Sequence, residues 1–544
     1  MSDSPFRTSA PKLRGGRLRP TVALAWLPAL LVLLPLALVF VRLTAPAGDA
    51  WAHLVEVLLP GYVWQTMLLI TLVVSLALLL GMPTAWWVAT AQFPGRAFFQ
   101  WALLLPLAMP GYISAMAYGD AMEGLVPVYI WVRQKFGVDA FLAAQQIARW
   151  VLAVLVLGST LFPYVYLTCL ASFSRQTAGP LEAARLLGAG ATRQFWTVAL
   201  PMARPAMAAG ASLVAFETLN DYGVVSYFGL SPLTVGVFRV WLSEGDLGAA
   251  IRLAVFLLVF AIGAVVLERL QRGRRVFDSE PGEAALSRRR PGWGWQGCLS
   301  ILCLIPLLVG FGIPAWRLGR WAALSWRETD WSATLQAAGH SFGLAGGVAL
   351  LVVLTALLMT GTQRAHHAPS LRVGRRIGLM GYAIPSALVA VGAGGLLTWL
   401  ATMPGMGFVA LSASVTGLVF AYFVRFLAVG LQAVDAGFKR VPPSLHEAAR
   451  TMGAKPWAAL WRIEVPLVWP AILAAATLTF IDVFKELTLT LVLRPFNYET
   501  LATRIFRLTD ESRVPEAATP ALVLICLSLL GLIPLVHLRQ PRSE

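Results

Sequence analysis

Glu182-Ala183-Ala184-Arg185-Leu186-Leu187-Gly188, nine further residues, then Val198-Ala199-Leu200-Pro201: this stretch occurs twice in the chain. The second copy reads Glu447-Ala448-Ala449-Arg450-Thr451-Met452-Gly453, nine residues, then Ile463-Glu464-Val465-Pro466. Glu and Gly lie six positions apart in both copies, and Glu and Pro nineteen. The copies are offset by 265 positions without a gap, and Arg204-Pro205 against Trp469-Pro470 extends the match. Each block is polar and sits between long apolar runs. An ordinary connection between two spans has no need of the same length twice.

The surroundings are those of a membrane protein. Of the 544 residues, 58% are hydrophobic and 13% charged, against about 45–50% and about 25% in a soluble domain. Such a surface needs lipid as its solvent, and the twenty Trp suit interfacial belts. The formal charge of +16 is carried by basic residues flanking apolar spans. Without an aromatic-interleaved basic patch, it does not indicate nucleic acid. Cys169, Cys298, Cys303 and Cys526 lie inside apolar runs, without a CxxC pair or a His partner, and read as small hydrophobes. The run Thr21–Leu43 follows a basic tail and is too long for a signal-peptide core, so it reads as a retained span.

Runs of about 20 apolar residues can cross a bilayer. They predict spans near 21–43, 62–88, 98–118, 148–172, 205–225 and 248–268, a basic linker at 269–294, and a second set near 295–315, 336–360, 377–400, 408–432, 467–490 and 518–538. The expectation is an all-α protein of about 12 spans, built as two parallel six-helix repeats. With the N-tail in the cytoplasm, inside segments hold 28 Lys and Arg and outside segments ten. This bias puts both copies of the repeated block in the cytoplasm, each between the fourth and fifth spans of its half.

Helix punctuation marks each block. Ser444 to Glu447 has the spacing of a capping box, and Pro180 with Glu182 that of a Pro-started helix. Gly188 and Gly453 then stop or bend the helix. A second polar feature lies at membrane depth, where charge is costly. Glu217 and Asp221 correspond at the 265 offset to Asp482 and Glu486, and Asn220 corresponds to Lys485. The i, i+4 spacing places each acid pair on one helical face, and Arg425 in the preceding span is a candidate partner. The acids either line a path between the halves or lock spans together.

The pattern Glu-Ala-Ala, three residues, Gly, nine residues, then Ile-x-Leu-Pro resembles the cytoplasmic signature of ABC importer permeases. Val198 and Val465 are the departures. The resemblance covers about 62–268 and 336–535, read as two ABC transmembrane repeats of the type I importer permease fold. Around them lie a basic N-tail and first span (1–61), a linker (269–294), a seventh span with its outer loop (295–335) and a C-tail (536–544). In that family the loop is a coupling helix seated on a separate ATP-binding subunit. Carried over, the coupling residues are Glu182, Ala183, Ala184, Gly188 and Pro201, with Glu447, Ala448, Ala449, Gly453 and Pro466. The substrate-path candidates are Glu217, Asp221, Asp482, Lys485 and Glu486.

The resemblance implies two ATP-binding subunits and a periplasmic binding protein as partners, in a multi-pass bacterial inner-membrane protein with a cytoplasmic N-terminus. The chain has no GxxxxGK[ST] loop and no nucleophile–base constellation. It reads as a transport subunit rather than an enzyme, without a cofactor of its own, ATP and Mg being used by the partner. Lys485-Glu486-Leu487, Arg494-Pro495-Phe496-Asn497-Tyr498-Glu499-Thr500-Leu501-Ala502 and Phe238-Arg239-Val240-Trp241 resemble the fused ferric-iron branch. Thr488 departs from it, which leaves thiamine, phosphonate and polyamine as alternatives. An ion-coupled secondary transporter with 6+6 repeats is the reading from another class.

Overall fold

The computed structural model describes residues 20–44, 49–175, 178–272, 288–366, 369–381, 384–401 and 414–537. The basic N-tail, the middle of the linker, most of the 401–407 segment and the last seven residues fall outside them. The described residues are helical almost throughout, with one isolated bridge, Ala91 to Arg289.

The first half runs through α1 (Pro20–Leu43), α2 (Leu59–Thr90), α3 (Arg96–Ala102), α4 (Gly111–Gly124) and α5 (Val126–Arg175). It continues through α6 (Ala178–Leu186), α7 (Leu200–Asn220), α8 (Gly223–Tyr227), α9 (Leu233–Leu242) and α10 (Leu247–Arg272). The second half begins with α11 (Trp293–Leu307), α12 (Ile313–Ser325), α13 (Trp331–His366), α14 (Pro369–Met380) and α15 (Ser386–Ala401). It ends with α16 (Val415–Phe438), α17 (Pro443–Thr451), α18 (Val465–Phe484), α19 (Thr488–Leu493), α20 (Leu501–Asp510) and α21 (Val514–His537).

The all-α, many-span architecture is as expected, against an anticipated count of about 12 spans. Among the described residues ten helices are long and apolar enough to cross a membrane, or up to eleven if one bent pair counts as a span. The difference lies in the third span of each half. The run 98–118 breaks into two pieces, Arg96–Ala108 and Gly111–Gly124, at 89° to each other. Pro110 sits at the corner with φ −59° and ψ 140°, and a proline denies the helix both a donor and its continuing geometry. In the second half α14 ends at Met380 and α15 runs from Ser386 to Ala401, while residues 382–383 within the 377–400 run and 402–413 beyond it lie outside the described ones. The fourth span of the second half is α16, about six residues later than 408–432. The 148–172 span belongs to the 50-residue α5, kinked at Gly137 where φ is +89°.

The halves are interlocked. α1 leaves its own half to pack on α14 and α15, and the backbone of Pro35 comes so close to Gly392 that a Cβ there would lie 2.9 Å from the Pro35 carbonyl. Reciprocally, α11 packs on α2 and α3, and α12 on α4. Tyr118 donates to the Val309 carbonyl at 2.7 Å, and Arg317 pairs with Asp120. Each half thus contributes its first helix to the other. Small residues at such crossings let backbones approach where lipid supplies no hydrophobic drive.

Candidate functional site

The repeated blocks fold alike. α6 and α17 are nine-residue helices, and Glu182 and Glu447 are the fifth residue of each. Gly188 and Gly453 follow in the left-handed region, at φ +79° and +90°. Ala189 N donates to Ala184 O at 3.0 Å and Gly188 N to Arg185 O at 2.9 Å. In the second copy Ala454 N donates to Ala449 O at 3.0 Å and Gly453 N to Arg450 O at 3.0 Å. This pair of bonds is the Schellman motif, which satisfies the last carbonyls of a helix and needs a residue free to take positive φ. A Cβ on either glycine meets nothing within 4 Å, so the requirement is conformational rather than steric. A short helix and one π-helical turn follow in each copy, Phe195–Ala199 and Leu460–Glu464. Pro201 and Pro466 are then the second residue of α7 and α18, directly after the π-helical turn that interrupts the regular hydrogen-bond ladder.

The capping box expected at Ser444 does not form. α17 starts two residues earlier than a Ser444 cap would place it, on Pro443 after Pro442, with no side-chain cap; the two prolines fix the backbone at the helix start without it. The tips are apolar and bare. Leu186 is 89% exposed, Leu187 87% and Met452 80%, and Trp196 and Trp461 are exposed as well. Ala183 and Ala448 are exposed, whereas Ala184 is half-buried and Ala449 buried. Grouped bare apolar side chains are candidates for a protein or membrane contact surface.

One anchor is present in the second copy alone. Glu464 is buried beneath its loop and accepts from Arg364 at 3.1 Å. Arg364 also donates to the Phe438 and Val441 carbonyls and lies over the Phe438 ring. The first copy has Ala199 at the equivalent place. Sequence reasoning passed over Arg364, which lies 100 residues from its partner.

α7 and α18 lead from the loops to a cavity of about 130 Å³ between the halves, room for several waters. Glu217, Asn220, Asp221, Arg425, Asp482, Lys485 and Glu486 all line it, together with the broken corner Met109 to Tyr112. All five substrate-path candidates are therefore brought to one place, but not by the expected geometry. α7 stops at Asn220 and α18 at Phe484, so Asp221 and Glu486 are not on the same helical face as Glu217 and Asp482. Each starts the next short helix instead. Asp221 Oδ1 accepts from Val224 N at 2.8 Å and Glu486 Oε2 from Leu489 N at 2.9 Å, the same bond at the 265 offset. Lys485 pairs with Asp482 at 3.1 Å, and Tyr422 donates to Glu486 at 3.5 Å. Asn220 is held from the opposite half. Its Oδ1 accepts from Ser386 N at 2.7 Å and from Arg425 at 3.2 Å. Ser386 and the tyrosines Tyr112, Tyr164 and Tyr422 carry no charge, and sequence reasoning missed them.

At the end of the molecule away from the repeated loops, α9 and α20 lie beside their cores. Their sequences align at an offset of 268, Phe238-Arg239 on Phe506-Arg507. Thr500 and Thr503 form a capping box on α20. Glu499 collects Arg507 at 2.6 Å, Arg504 at 3.4 Å and Arg494 at 3.7 Å. Partial burial raises its carboxyl, but the Arg507 hydrogen bond and the three positive charges outweigh that and hold it below its ordinary value. Phe496 beside it is 92% exposed.

Two interlocked helical halves around one polar cavity, each offering an exposed helix–Gly–helix loop, define a membrane transport permease built as a fused pair. Residues 284–539 match the model of the binding-protein-dependent transport system inner membrane component. The chain is 31% identical over 176 residues to the molybdenum transport system permease protein ModB of Escherichia coli, covering 30% of this chain and 71% of that one. It is 25% identical over 516 residues to the Fe(3+)-transport system permease protein FbpB 2 of Haemophilus influenzae, covering 92% and 96%. A putative 2-aminoethylphosphonate transport system permease protein, PhnV of Salmonella typhimurium, is 28% identical over 162 residues, 30% of this chain and 60% of that one. The chain belongs to the inner membrane components of binding-protein-dependent transport systems, and it is a multi-pass inner-membrane permease of the ABC importer class.

Proposed function

We propose that this chain forms the whole transmembrane pathway of an ATP-driven importer, and that its cargo is ferric iron. The coupling role of the loops rests on one observation: two Schellman-ended helices 265 residues apart, with bare apolar tips at Leu187 and Met452. Each tip fits a groove on an ATP-binding subunit, so one chain takes two such subunits, and these bind ATP and Mg. The excess of Lys and Arg on the loop side supports a cytoplasmic position for the loops and the N-terminus. Residues 62–268 then act as the first transport repeat and 336–535 as the second.

The mechanical link is short. α7 carries Leu200 at the loop and Asn220 at the cavity, a rigid rod of roughly 30 Å. α18 does the same in the second half. Closure of the ATP-binding subunits draws the loops together. The rods pass that motion to the cavity, where Asn220 must leave Ser386 and Arg425 for the path to open. The face carrying α9, α20 and the Glu499 cluster receives the substrate-binding protein.

Cargo charge is the ground for iron. The cavity lining holds four carboxylates, Glu217, Asp221, Asp482 and Glu486, against two cations, Arg425 and Lys485. Its formal charge is negative and attracts a cation, whereas a phosphonate would meet repulsion. Among the described residues no group of three or more His, Cys, Asp or Glu could hold a metal. A path of this kind lets an ion pass rather than trapping it, since conduction needs weak sites. Likeness to the Fe(3+) permease along 92% of the chain supports the same cargo. The deciding experiment is to purify the cognate binding protein and identify its ligand. Ferric iron is expected, and an oxyanion or thiamine there overturns the assignment.

A further inference from the structure

A groove of about 690 Å³ runs between α2, α7 and α10 on the lipid-facing side of the first half. Pockets of about 300–1,000 Å³ hold small organic ligands. Its walls are apolar for most of their length, with Met67, Ile70 and Val74 on α2, Ala208 and Ala211 on α7, and Phe260 on α10. At the end nearest the repeated loop two opposite charges line it, Arg204 on α7 and Glu268 on α10. Arg204 is exposed and Glu268 half-buried. From Arg204 to Leu219 the groove follows about 22 Å of helix, enough to pass from the headgroup level through one leaflet of a hydrocarbon core roughly 30 Å thick.

The second half has the equivalent groove between α13, α18 and α21, about 720 Å³. Where the first has Arg204 it has Trp469, and among the described residues no charged side chain lines it. Both grooves suit an acyl chain. Among the described residues, the first carries a cation and an anion at its loop end and the second does not.

We propose that the α2–α7–α10 groove binds one phosphatidylethanolamine, its phosphate on Arg204, its ammonium on Glu268 and an acyl chain in the trough. The two protein charges are complementary to a zwitterion whose ammonium is unshielded. Phosphatidylcholine buries its positive charge under methyl groups and cannot donate to Glu268. Phosphatidylglycerol offers nothing positive to it. The deep end reaches Leu219, next to Asn220 of the cavity, so the lipid braces the rod that the coupling loop moves. This inference rests on the membrane reading and not on the identity of the cargo.

The test uses the full chain in nanodiscs of equal phosphatidylethanolamine, phosphatidylglycerol and phosphatidylcholine, released and weighed by native mass spectrometry. Phosphatidylethanolamine should be retained in preference to each of the others by about three- to tenfold, the range expected of two interfacial ion pairs. Arg204→Ala with Glu268→Gln should abolish the preference, Trp469→Ala should leave it intact, and Ala211→Phe should displace the retained lipid by filling the trough. An unchanged preference in the double variant overturns the proposal. So does phosphatidylglycerol preferred by the unmodified protein, which would make Arg204 an anion site alone. The mass of each variant and its elution as a single species check that it has folded.

Discussion

Replacing Arg364 by Leu tests whether the second loop is anchored as described. Glu464 is fully buried and its Oε1 lies 3.1 Å from the guanidinium. Removing one partner of such a pair leaves a charge buried in a poor solvent, at a cost of about 3–5 kcal/mol. The Phe438 and Val441 carbonyls lose a charged donor as well, worth roughly 1.5–3 kcal/mol each at most. Removing both partners is different. Arg364→Leu with Glu464→Leu takes away the uncompensated charge, and well-packed apolar residues in place of a buried pair are often neutral or better. The assay is thermal unfolding of the purified chain in detergent, followed by intrinsic fluorescence, with the two single variants and the double. The single changes should lower the midpoint by several degrees, and the double should recover most of the loss. If Arg364→Leu moves the midpoint by less than about one degree, or the double is as unstable as the sum of the singles, the anchor is not what holds this loop.

Ala at Gly188 or Gly453 has room but the wrong conformation, so each should cost about 1–2 kcal/mol in loop stability and reduce co-purification of the ATP-binding subunit, measured by pull-down. Leu187→Ser and Met452→Ser should leave the melting midpoint within about 1 °C, since both side chains are exposed, yet weaken the same pull-down; equal binding would remove the tips from the interface. Asp221→Ala and Glu486→Ala each delete a helix-starting acceptor and should destabilise by about 1 kcal/mol, readable as faster hydrogen exchange in α8 or α19. The carboxyl of Glu499 sits below its ordinary value when folded. Its stabilisation is therefore present above the ordinary carboxylate value and is lost as pH falls through the lower folded value. The midpoint difference between the unmodified chain and Glu499→Gln should shrink over that acid window, and a difference that grows there contradicts the cluster.

What was legible in the sequence depended on the range of the physics. The repeated loop was readable because glycine at a helix end, a fixed spacing and a duplicate each constrain the same few residues. The long spans were readable because a bilayer selects for apolar length alone. Hydropathy is blind to a corner, however. Pro110 sits inside an apolar run, and only backbone geometry shows that the third span of the first half is broken there. The acids were found by the 265 offset, yet half of their geometry was misjudged. The i, i+4 spacing implies one continuous helical face, but at Asp221 and Glu486 the chain leaves one helix and starts another. The Arg364–Glu464 anchor and the grip of Ser386 and Arg425 on Asn220 join residues 100 to more than 200 positions apart. No local pattern announces contacts of that range.

In the proposed importer, ATP hydrolysed by partner subunits drives transport through the two repeated loops. The most direct test is uptake of radioactive ferric iron into proteoliposomes holding this chain with its ATP-binding subunit, supplied with the loaded binding protein outside. Uptake should require ATP inside the vesicles and collapse in the Leu187→Ser, Met452→Ser double variant. Sustained uptake without ATP on an imposed proton gradient would contradict the account.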